Sequence, residues 1–106
     1  MYKYYLEIES SEHMLNAYEL ARVYGIYTSK DKPHARFVSR LIKDYCTHVG
    51  IEERFNYKTK EGMMQVWPAY IYMPLLDKLE KDYPTNELVG MEFSNKTHYF
   101  IIKREV

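Results

Sequence analysis

The sequence predicts an α+β domain of about three helices and two β-hairpins preceded by an N-terminal strand. Three observations predict it. The chain opens on an alternating stretch, its centre carries apolar residues at helical spacing, and its second half holds two pairs of strand-like runs around turn residues. The length of 106 residues fits one domain over 1–106.

Taken in order, Tyr2 to Glu9 places Tyr2, Tyr4, Leu6 and Ile8 on one side and Lys3, Tyr5, Glu7 and Glu9 on the other, the period of a half-buried strand. Asn16 to Tyr24 reads as a helix. Asn16 can accept from the amide of Glu19 while the Glu19 carboxylate reaches back, and Ala17, Leu20, Ala21 and Tyr24 form the inward stripe. Gly25 ends it, because glycine takes a left-handed conformation at least steric cost. Ile26 to Pro33 is a polar connection, with Pro33 suited to start the next helix.

Ala35 to Tyr45 is the clearest element. At about 100° per residue, Phe37, Val38, Leu41, Ile42 and Tyr45 share one face, and Arg36, Arg40 and Lys43 share the opposite one. Arg54–Thr59 and Met63–Trp67 flank Lys60-Glu61-Gly62 as a hairpin, and Pro68 to Met73 is expected to continue extended. Pro74 then suits the first turn of a helix over 74–83, carrying Leu75, Leu76, Leu79 and Tyr83. A second hairpin over 88–103 turns at Ser94-Asn95-Lys96-Thr97.

Lysine plus arginine equals aspartate plus glutamate, so the formal net charge is zero and a uniformly basic protein is excluded. The charge is nonetheless segregated. Lys30 to Lys43 holds five bases against one acid, whereas Met1 to Glu19 holds one base against four acids, and Asp77 to Glu92 two bases against five acids. Twelve tyrosines, four phenylalanines and one tryptophan are expected to fill a small core and its rim, or to furnish a binding surface.

Cys46 is the one cysteine, so no internal disulfide can form, and it reads as a half-buried inert thiol. No apolar run approaches the ~18 residues of a membrane span, and the first residues lack a signal-peptide core. The expectation is a cytoplasmic protein. His13, His34, His48 and His98 show no metal-ligand spacing, the glycines are isolated, and Glu52-Glu53 read as solvated charge. We therefore expect no enzyme, metal or cofactor.

The basic face is different in kind. A helix with one apolar and one basic face, following a shorter helix that ends in glycine, has what a recognition helix needs: the first face anchors it, and arginines reach phosphates or guanine edges. On this reading 16–57 forms a helix-turn-helix-like centre of a compact winged-helix-like domain, and 54–73 is the wing. Arg36, Arg40 and Lys43 would contact DNA, with Lys30, Lys32, Lys58 and Lys60 on the phosphate backbone.

Asn16-Ala17-Tyr18-Glu19-Leu20, Phe37-Val38-Ser39-Arg40-Leu41-Ile42-Lys43-Asp44-Tyr45, Ile51-Glu52-Glu53 with Phe55, and Ala69-Tyr70-Ile71-Tyr72 carry a resemblance. The chain resembles the N-terminal domain of phage antirepressors and the related Rha-type phage regulators. It lacks the tryptophan of their second helix and carries an insertion at Ile26–Pro33. The resemblance implies a phage or prophage protein acting on regulation, through DNA or through a repressor protein, in the host-cell cytoplasm if phage-encoded. DNA binding through the basic helix is the first reading, and the alternative is a small antagonist that binds a repressor or a host defence or replication protein on the same scaffold. An unpaired edge of the N-terminal strand or the C-terminal hairpin would allow a homodimer.

Overall fold

A computed structural model describes the backbone of residues 2–4 and 14–103, and the side chains of residues 14–56 and 60–103. The elements are β1 (Tyr2–Tyr4), β2 (Leu15–Asn16), α1 (Ala17–Tyr24), β3 (Ile26–Tyr27), α2 (Ala35–Val49), β4 (Arg54–Thr59), β5 (Gly62–Trp67), α3 (Ala69–Asp82), β6 (Leu88–Phe93) and β7 (Lys96–Ile102). The fold class is α+β, with three helices and both hairpins. Of the strand expected over Tyr2–Glu9, β1 is present and the remainder lies outside the described residues.

The first sheet has the order β1-β4-β5-β2, with β1 parallel to β4 and the other pairs antiparallel. The second has the order β3-β7-β6 and is antiparallel throughout. In it the short strand between the first two helices pairs with the C-terminal strand, Ile26 opposite Ile102 and Tyr27 opposite Ile101.

Local chemistry explains the helix ends. Asn16 accepts from the Glu19 amide at 2.8 Å and the Asn16 amide donates to Glu19 Oε1 at 3.0 Å, so two orphan donors are satisfied reciprocally. Gly25 closes α1 at φ 68°, and a Cβ there would run into the Lys103 carbonyl oxygen. It is thus both a left-handed cap and the point where the end of β7 passes closest to α1. Pro33 does not start α2 as expected. It bridges to Tyr27, and His34 caps the helix, Nδ1 accepting from the Phe37 amide at 3.4 Å.

Two further expectations are corrected. The third helix spans Ala69–Asp82 rather than 74–83, so 68–73 is not extended. Pro74 sits inside it and removes the bond to the Tyr70 carbonyl, on the side where Tyr70 is exposed and water can substitute. Burial of Ile71 and Tyr72 offsets that loss. Within the 54–73 segment the hairpin ends at Trp67, as part of the first sheet, and the last part is helix. The turn between α1 and α2 is also no tight helix-turn-helix, since it contains β3 and a loop closed by Thr28 and Lys32.

The core unites Leu20 and Ala21 of α1, Phe37, Val38, Leu41 and Ile42 of α2, and Ile71, Leu76 and Leu79 of α3 with Phe55, Val66, Trp67, Ile26, Phe100 and Ile102 of the strands. Among the described tyrosine side chains only Tyr72 is buried. The others occupy the rim or face solvent.

Candidate nucleic-acid interface

The helix α2 is held by its apolar face. Phe37 stacks on Phe100 of β7 with ring centroids 4.5 Å apart and leans on Phe93 of β6 at 6.1 Å, while Phe93 stacks on His98 at 3.9 Å. This aromatic ladder clamps the β6–β7 hairpin against the first half of the helix. These ring contacts pack the hairpin onto the helix.

The opposite face is the basic one. Arg36, Arg40 and Lys43 are all exposed, and none of them makes an ion pair among the described residues. Lys30 and Lys32 are exposed in the loop that leads into α2, where both of their amides donate to Thr28 Oγ1. That loop turns at Asp31, φ 66°, whose carboxylate pairs with Lys103.

A shallow cleft of about 470 Å³ lies between α2 and the tip of the β6–β7 hairpin. Arg40, Lys43 and Asp44 line it from the helix, and Ser94, Lys96 and His98 from the hairpin. The tip is a two-residue turn in which Ser94 and Asn95 take φ 53° and 60°, the primed turn geometry that suits tightly twisted hairpins. Ser94 Oγ donates to Asp44 Oδ1 at 3.2 Å and fastens the tip to the helix. Along β7 the alternation puts Lys96, His98, Phe100 and Ile102 on the face toward α2. Lys96 thus stands beside the arginine–lysine stripe.

The other expected basic residues are placed elsewhere. Lys60 sits at the tip of β4–β5 with Glu61, Met63 and Met64 around it. The base of that hairpin, Arg54 with Gln65 and Trp67, shares a second cleft with Lys43, Cys46 and Thr47. Six residues of strand, at about 3.3 Å each, set Lys60 roughly 20 Å beyond Arg54. The Lys58 backbone lies in β4, and its side chain is outside the described residues. The structure brings Arg40 and Lys43 together with Lys96 and His98, a pair that sequence reasoning missed. The turn at Ser94–Thr97 was legible; its neighbour was not, because the contact depends on how β7 pairs with β3.

Elsewhere the charges are mixed. The exposed side of α3 carries Asp77, Lys78, Lys81 and Asp82, with Lys78 bonded to Asp82 at 2.8 Å, and offers nothing to a phosphate. Burial pushes the Cys46 thiol up, which keeps it protonated and poorly nucleophilic. Burial and a hydrogen bond to Asp77 push the Tyr24 hydroxyl up, and that bond, 3.1 Å long, ties α1 to α3. Among the described residues no three of His, Cys, Asp and Glu converge on a metal position, and no helix is long and apolar enough to cross a membrane. Comparison with known proteins found no matching family model, curated protein or solved structure.

Proposed function

We propose that the chain is a regulatory module of the phage antirepressor kind that binds duplex DNA through the basic face of α2. One observation carries this reading: Arg36, Arg40 and Lys43 form an exposed stripe with no ion pair among the described residues, on a helix whose other face is locked into the core. Free arginines on a rigid support reach phosphates and the O6/N7 edge of guanine at little ordering cost. The net charge of zero keeps non-specific attraction low and confines it to that face. The winged-helix-like reading draws support from β3, which lies between the first two helices and pairs with the C-terminal hairpin. The reading assigns the chain no catalytic step.

The test is a mobility-shift assay on a mixed-sequence duplex with the double charge reversal R36E/R40E. Both side chains are exposed, so the variant should fold. Binding is expected to fall at least tenfold, and retention of wild-type affinity would sink the reading.

A second reading, a protein-binding antagonist, draws on Tyr18, Tyr70 and Tyr99, which are 51%, 54% and 60% exposed. Tyrosine is enriched at protein interfaces. A stoichiometric partner recovered equally by wild type and R36E/R40E would favour it.

A further inference from the structure

We infer that the cleft between α2 and the β6–β7 hairpin is a seat for one phosphodiester group, with Lys96 as its third cation beside Arg40 and Lys43. This rests on the reading of α2 as the DNA-binding helix and names the part of the nucleic acid that this end of it holds.

Three features of the cleft carry the inference. First, cations reach it from two elements distant in sequence, so its charge comes from the fold and not from one helix face. Arg40 and Lys43 stand on α2, and Lys96 on the far side of the hairpin turn. Three cations around one concavity attract an anion more strongly than the same charges spread over a convex face, because their fields add at one point.

Second, the wall is held in place. The Phe37–Phe93–His98 stack fixes the hairpin to the helix, and the Ser94–Asp44 bond fixes the turn itself. A preorganised pair of walls avoids the ordering cost that two flexible lysines would otherwise incur on binding.

Third, the acid in the cleft is occupied. Asp44 accepts from Ser94 through Oδ1 and has His48 Nδ1 3.5 Å from Oδ2, so its carboxylate is turned to the turn and to its own helix. It latches the hairpin in addition to lowering the local charge. The lining of the cleft offers Arg40, Lys43 and Lys96 to an anion, and phosphate contacts of that kind are made without regard to sequence.

The hairpin that supplies this contact is the C-terminal one. Lys81, on the exposed side of α3, lies outside the cleft. The comparison of Lys96 with Lys81 is the experiment. Fluorescence anisotropy on a mixed-sequence duplex, titrated with salt, is to be run on wild type, K96A, S94A, K81A and R40E. Removing one of three cations that share a phosphate lowers the salt slope by up to about one. K96A is expected to show a reduced slope and a roughly two- to fivefold weaker affinity, with K81A unchanged. S94A, which releases the latch and keeps the charge, is expected to weaken binding less than K96A and to leave the slope at the wild-type value. A K96A slope equal to wild type, or a K81A loss as large as that of K96A, would overturn the inference. If R40E fails to bind and K96A is normal, the cleft assignment alone falls. If R40E binds as wild type, the reading of α2 falls with it.

Discussion

Gly25 and His34 show how single residues set up the interface without touching a ligand. Gly25 holds a left-handed φ of 68° directly against the Lys103 carbonyl, so G25A meets both a backbone penalty and a clash. We expect it to cost at least about 2 kcal/mol in urea unfolding. His34 caps the helix that carries the stripe, and it can do so only while Nδ1 is unprotonated. Burial lowers its pKa from 6.5, partly opposed by a hydrogen bond with the Tyr99 backbone and aided by Arg36 and His98. Because the folded pKa is depressed, the unfolded chain binds the proton more readily. The His34 contribution is complete above about pH 6.5, and it is lost as pH falls from there through the lowered folded value. Thermal unfolding between pH 7.5 and 5 should show Tm falling on acidification, less so in H34N, which caps the helix without titrating. At this scale the sequence was informative wherever the partner was near in the chain. The Asn16–Glu19 capping box and the Gly25 stop were legible because both are local, whereas the cap of α2 was not, because histidine is no favoured N-cap and the proline beside it is a common helix opener.

Among the elements, α2 was the most legible, since Phe37, Val38, Leu41 and Ile42 repeat at helical spacing and all four are buried. It runs four residues beyond Tyr45, to Val49, because nothing stops it before the left-handed Gly50. The start of α3 was misread for the opposite reason. Pro74 looked like a helix opening, and only the tertiary burial of Ile71 and Tyr72 allows five residues of helix to precede it. Both hairpins were found from their turn residues, yet which one sets its tip against α2 was not. The element-scale prediction concerns that flank. F37A removes the ring between α2 and the Phe93–Phe100 pair and should cost about 3–5 kcal/mol. It should also lower the hydrogen-exchange protection of β6 and β7 more than that of β4 and β5.

For the whole molecule, the proposed interface depends on one long-range decision, the pairing of β3 with β7. It carries the C-terminal hairpin back to α2 and sets Lys96 beside Arg40 and Lys43. Sequence periodicity holds no record of such a pairing, because a two-residue strand such as Ile26–Tyr27 has no period to read. The charge segregation did survive: the +4 segment of Lys30 to Lys43 folds into an exposed loop and helix face, and the acidic segment from Asp77 falls mainly on α3. The most direct test of the account is therefore the salt dependence of duplex binding by the wild-type chain. With Arg36 on one phosphate and Arg40, Lys43 and Lys96 sharing a second, log K against log salt should have a slope of roughly −2. A slope near zero, or no measurable binding at low salt, would contradict it.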